Sequence, residues 1–205
     1  MSIPFLPGIK IQAGRPHLNI PMSVSRYGNR AISFVQSSDS FWTVDVETWP
    51  MDEAKLADFE AWLARTRGGM ETVVFTPRHV GSVPRAYWSD PANPILDDTG
   101  DLVSVTNGKQ INLNSITASL AITAGDLVSL KTGDFVSLHR VTTGAVAAST
   151  SMSLAVEPPV PSYIAAGATV IFKNPPLNTR LLPSSVEIGD GLFPTARFQL
   201  MEVPR

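Results

Sequence analysis

The chain has 205 residues, enough to bury a proper core without staples and to form one large β domain or two small ones. It contains no cysteine, which excludes disulfides, thiolate metal sites and a cysteine nucleophile, and no run approaches the roughly 20 apolar residues of a membrane helix. Sixteen basic against 18 acidic residues leave a net charge of −2 without a basic block, which speaks against affinity drawn from nucleic-acid phosphates.

The chain opens on MSIPFLPGIKIQ, which has neither the basic start nor the apolar run of a leader, so a soluble, unprocessed chain without a membrane partner is expected. SVSRYGNRAISFVQ follows, with Gly28-Asn29 between two runs in which polar and apolar residues interleave: the signature of a hairpin. FWTVDVETW then alternates at Trp42, Val44 and Val46 and predicts a further strand. MDEAKLADFEAWLARTRGG reads as the one helix. Leu56, Phe59 and Leu63 fall at helical spacing, Trp62 widens the stripe, and Asp52 and Glu53 lie where the helix dipole favours acids. Gly68-Gly69 is a stop signal of the kind that permits a left-handed cap. METVVFTPR, a β-branched run ended by proline, places the helix between strands in an α+β unit.

The texture changes at GSVPRAYWSDPANP, where proline and turn-formers mark a domain junction. From Ile95 to about Phe172 nothing has helical period; DLVSV, KQINL, ASLAI, DLVSL, DFVSLHRV, SMSLAV and ATVIF read as short strands of a small barrel or sandwich. NPPLNTRLLPSS is then a return linker. TARFQLMEV, with Ala196, Phe198, Leu200 and Glu202 on one face, is a final strand expected to pair with the N-terminal sheet. The expected fold is therefore mainly β in the α+β sense: an antiparallel domain with one packed helix, residues 1–85 with 174–205, carrying an inserted all-β domain, residues 86–173.

Within the inserted segment GDLVSL and GDFVSL nearly repeat, with an earlier echo GDLVSV at Gly100 to Val105. A phosphate cradle needs clustered glycines facing a helix N-terminus, and no helix is predicted here. The spacing between copies is not constant, which excludes a solenoid. A hairpin accounts for every residue, with Lys131 to Asp134 as its turn, Val128 with Leu130 and Val136 with Leu138 on apolar faces, and Ser129 and Ser137 pointing the other way.

Catalytic chemistry finds little support. His17, His79 and His139 are far apart in sequence, none has a second ligand at metal-binding spacing, and His139 is expected to face outward near a barrel rim. Asp97, Asp98 and Asp101 could offer oxygens to a hard cation but lack a calcium loop's spacing, and a β-turn explains them. No Gly-x-Ser-x-Gly elbow occurs. No enzyme activity, cofactor or metal is expected. Tyr87 and Trp88 beside Arg85 are candidates either for docking a partner or sugar, or for tucking the linker against a domain.

The order of these features carries a resemblance. A hairpin and strand, then DEAKLADFEAWLARTRGGMETVVFTPR, then a β module with AITAGDLVSL, FVSLHRVTTGAVA, SLAVEPPV and GATVIFKNPPLNTRLL, is similar to the distal tail and minor tail proteins of long-tailed bacteriophages, over most of the chain. The resemblance implies a structural virion protein, assembled in the bacterial cytoplasm, that forms a ring, typically a hexamer. Such a ring joins the tail tube to the tip or baseplate hub, so the implied partners are further copies of the chain, tail-tube protein and tip or hub proteins, with DNA passing through the lumen unbound. Arg26, Tyr27 and Arg30 at the hairpin tip, with Arg85, Tyr87 and Trp88, are then the candidate contacts. The alternative is a β module of the tail tip that binds a host-surface glycan.

Overall fold

A computed structural model describes residues 2–26, 28, 32–78 and 81–203. Its strands in chain order are β1 (Ser2–Pro4), β2 (Ile11–Ala13), β3 (Pro16–Asn19), β4 (Met22–Arg26), β5 (Ile32–Gln36) and β6 (Phe41–Thr48). After the helix α1 (Glu53–Thr66) come β7 (Thr72–Phe75), β8 (Gly100–Thr106), β9 (Gln110–Asn114), β10 (Ala121–Ile122), β11 (Leu127–Thr132) and β12 (Phe135–Thr143). The chain closes with β13 (Ala145–Val146), β14 (Met152–Glu157), β15 (Thr169–Ile171), β16 (Leu177–Leu181), β17 (Glu187–Ile188) and β18 (Ala196–Glu202). The protein is mainly β, with a single α-helix among the described residues and a closed barrel.

The large sheet runs β1-β7-β16-β18-β6-β2, with β3 also on β6 and β17 on β18. All its strands come from before Thr76 or after Pro176. Trp42, Val44 and Val46 of β6 and Ala196, Phe198 and Leu200 of β18 bury one face, as their alternation predicts. The pairing is antiparallel except between β1 and β7, which run parallel.

Asp52 caps α1, accepting from the Lys55 amide at 2.9 Å. The helix buries Phe59, Trp62 and Thr66, while Leu56 and Leu63 are only partly covered, so the stripe is centred one side of where the leucines alone would put it. Trp62 decides this: its ring meets Phe198 and Phe59 at 5.5 and 6.0 Å, and its indole N–H donates to Pro4 O at 3.0 Å. The left-handed cap begins at Arg67 (φ 50) rather than at the glycines. Gly69 (φ +87) is required for a second reason, because a Cβ there would stand 2.2 Å from Leu181 O.

The barrel closes in the order β11-β12-β14-β9-β8-β15, every pair antiparallel. The ASLAI segment is not one of its staves; β10 pairs instead with β13 in a short ribbon. The β11–β12 turn is tighter than the sequence pattern suggests: Lys131 pairs with Val136 and Thr132 with Phe135, which leaves only Gly133 (φ +59) and Asp134 outside the ladder.

That register has consequences for every residue of the near-repeat. Val128 lies opposite His139 and Leu130 opposite Ser137, so these four share the barrel side, while Leu127, Ser129 and Leu138 face the large sheet. The two copies of the motif therefore present their leucines to different cores: Leu130 to the barrel's and Leu138, with Leu127, to the sheet's. Polar contacts fasten the same hairpin to the sheet domain. Trp42 donates its indole N–H to Leu138 O at 2.8 Å, Ser129 Oγ to Pro176 O at 2.8 Å, and Asn178 Nδ2 to Asp134 O at 2.9 Å. The chain enters and leaves the barrel side by side, the Asn174 amide donating to Ser82 O.

Candidate assembly surface

The β4–β5 hairpin belongs to neither core. Among the described residues it pairs only with itself, from Met22↔Gln36 to Arg26↔Ile32, and its paired part extends beyond the Phe41 end of β6 for about 14 Å at normal strand rise. Its register puts Met22, Val24, Ile32 and Phe34 on one face together with Arg26 and Gln36; Ser23, Ser25, Ser33 and Val35 take the other. The four apolar residues of the first face are 49–61% exposed. An isolated two-stranded ribbon is marginal in water, and an uncovered apolar face of this kind marks an interaction site.

The predicted hairpin tip falls partly outside the described residues. Arg26 ends β4 with its side chain in solvent, whereas Tyr27 and Arg30 are not among the residues described, nor is His79. The linker candidates separate. Arg85 is exposed, and its backbone amide donates to Asp126 Oδ1 at 2.8 Å. Tyr87 is turned to the barrel: its hydroxyl accepts from the Ala121 amide at 3.0 Å, and the ring packs on the second core. Trp88 remains exposed with its indole N–H donating to Val83 O at 3.3 Å. The two neighbouring aromatics thus form no common platform, and only Trp88 is offered outward.

His139 corrects the sequence expectation. It is fully buried, because the face it shares with Val128, Leu130 and Ser137 looks into the barrel. Its Nδ1 lies 2.8 Å from Pro158 O, an acceptor only, so the ring proton sits on Nδ1, and Nε2 meets no partner among the described residues. Burial holds its pKa down at about 4, against the weaker opposing pull of the Pro158 carbonyl and Glu157. The ring is neutral at ordinary pH.

Glu202 is the functional-looking group that sequence reasoning passed over. It continues the buried face of β18, so its carboxyl is carried inward, where Oε2 accepts from the Trp42 amide at 2.8 Å. Burial raises its pKa to about 7, against the lowering effect of that hydrogen bond. It lines a cleft of about 460 Å³ with Phe41, Ser137, Pro158 and Tyr163, at the root of the β4–β5 ribbon beside Gln36 and Asp39. The only sequence signal was an acid in phase with Ala196, Phe198 and Leu200.

Two members of the acidic group at the barrel start are engaged locally, and Asp101 is exposed on β8. Asp97 pairs with Lys173, and Asp98 accepts from the Thr99 amide at 2.9 Å and the Thr117 hydroxyl at 2.7 Å. Among the described residues no three His, Asp or Glu side chains converge, and no helix is long and apolar enough to cross a membrane.

No family model matches the chain, and no curated protein sequence matches it significantly.

Proposed function

We propose that the chain is a non-enzymatic structural subunit of a phage tail's distal end, assembling into a ring, typically a hexamer, that joins the tail tube to the tip or baseplate hub. The observation that carries this reading is the β4–β5 ribbon, which exposes Met22, Val24, Ile32 and Phe34 on a molecule whose two cores are otherwise closed. A ribbon that cannot bury its apolar face within its own chain supports a role in which another molecule covers it. The domain arrangement is compatible. The sheet domain supplies the ring wall, and the barrel, fixed by Leu127 and Leu138, is held in one orientation as an outer decoration or a clamp on tip proteins. The net charge of −2 suits a lumen that passes DNA without gripping it.

Mass photometry and negative-stain imaging of the purified chain, alone and mixed with tail-tube protein, test the proposal. Closed rings, or density capping tube ends, are expected. A monomer indifferent to tube protein at all concentrations would overturn it and turn attention to glycan binding around the exposed Trp88.

A further inference from the structure

The ribbon is not the only uncovered apolar surface, and the second lies at the opposite end of the same strand. β6 begins at Phe41, where the ribbon departs, and ends at Thr48, whose hydroxyl accepts from the Ala196 amide at 2.9 Å. Beside that end the Met51 amide donates to Pro194 O at 2.9 Å, which brings the Trp49 segment against the β17–β18 loop. Trp49, Ile188, Leu192 and Phe193 are all exposed there, Leu192 to 86%. The seven steps of β6 separate the two surfaces by about 24 Å.

Charge distinguishes the two ends. From Met22 to Gln36 the chain carries Arg26 and Arg30 and no acid. The far end carries Glu187 and Asp190 against Lys10, whose backbone carbonyl accepts from the Trp49 amide, and continues into a groove of about 430 Å³ where Asp45 and Glu47 face Arg197. Glu47 already pairs with Arg197 at 2.8 Å, which leaves the remaining acids in excess. A basic apolar ribbon at one end and an acidic apolar patch at the other are complementary to each other and not to themselves. Two such surfaces on one subunit give a heterologous, head-to-tail contact, which can close into a ring.

We infer that the ribbon face Met22, Val24, Ile32 and Phe34 of one copy docks on the Trp49, Ile188, Leu192 and Phe193 patch of the next. The inference rests on the ring-subunit reading and names the surface that receives the ribbon. It places Arg26 of one copy toward Glu187 and Asp190 of its neighbour.

Because the chain has no cysteine, single cysteines report this contact cleanly. Val24→Cys and Leu192→Cys chains, one carrying a tag to shift its mass, are treated with a short bismaleimide separately and as an equimolar mixture, with and without tail-tube protein. Ser151→Cys on the barrel surface controls for random collision. The expected result is a mixed-mass dimer from the V24C and L192C mixture, at least ten-fold above the control, and no dimer from either chain alone. V24C joining to itself would show ribbons meeting face to face and overturn the inference. Oligomers in mass photometry with no cross-link above the control would overturn the pairing of these surfaces while leaving the ring reading intact. A chain monomeric with and without tube protein would overturn both.

Discussion

The protein contains two hairpins of similar build and opposite circumstance. β4–β5 and β11–β12 both alternate serine with large apolar residues, and both turn at a glycine-containing segment. Yet Val24 and Phe34 of the first lie in solvent, while Leu130 and Leu138 of the second are wholly buried, on opposite faces. Hairpin formation depends on the turn and on cross-strand pairs, which are local. Burial depends on what the rest of the chain lays against each face. One hairpin is a stave and a joint at once, with a core on either side; the other has no core on either side and is available to another molecule.

The largest expected consequence is in stability. Leu138→Ala should cost about 3–5 kcal/mol in urea unfolding, since it opens a hole in the sheet-domain core at its junction with the barrel. Phe59→Ala, under the same core's helix, should cost a similar amount. A loss below about 1 kcal/mol at Leu138 would mean that the barrel does not share a core with the sheet.

Each hairpin also has a titratable group beside it, and the two act in opposite directions. His139 binds protons less well folded than unfolded, so its contribution is lost as pH falls from about 6.5 to about 4. Glu202, at the ribbon's root, holds its proton more tightly when folded, so its contribution is present below about 4.5 and is lost as pH rises through about 7. Between about 4.5 and 6.5 the two slopes oppose each other. Glu202→Gln keeps an oxygen for the Trp42 amide and removes the ionisation. Its stability relative to the parent should therefore climb by about 3 kcal/mol from pH 4.5 to pH 7, read from urea midpoints. A constant difference would show that the Glu202 carboxyl ionises as in water.

Serine makes a matched pair. Ser129→Ala removes the buried hydroxyl that donates to Pro176 O and should cost about 1–2 kcal/mol. Ser25→Ala on the ribbon should stay within about 0.5 kcal/mol of the parent. Equal effects would erase the distinction between the hairpins.

These contrasts mark how far the sequence could be read. The helix with its acids at the start, the β6 and β18 alternation and six of the seven segments read as barrel strands were legible because each rests on a pattern encoded within a few residues, whereas ASLAI, equally strand-like, pairs outside the barrel. The Leu56 and Leu63 stripe lost its centre to Trp62, because ring area outweighs leucine spacing. His139 was misplaced because the face it shares with Ser137 reads as the polar side of its strand, whereas the barrel closes over that face and pairs His139 with Val128. The candidate surface was legible as a hairpin, through Gly28 and Arg26, but not as an exposed one. An apolar face reads the same in sequence whether its own chain or a neighbour covers it. The receiving patch was missed altogether, since Trp49, Ile188 and Phe193 are scattered over a long stretch and only β6 and β18 bring them to one end.

The smallest expected effect on stability therefore carries the most information about function. Val24→Ser with Phe34→Ser changes a directly opposed pair on the apolar face of the ribbon. Both residues are more than half exposed and touch neither core, so the isolated chain should unfold within about 0.5 kcal/mol of the parent. If another copy covers that face, the same change removes two buried anchors from the contact, and a few anchors supply most of an interface's energy. Mass photometry should then show the variant as a monomer at concentrations where the parent forms rings. Ser23→Ala with Ser33→Ala, on the opposite face, should leave rings unchanged. Loss of rings from both pairs would mean that the contact uses the ribbon's edges rather than its apolar face, and loss from neither would remove the ribbon from the assembly.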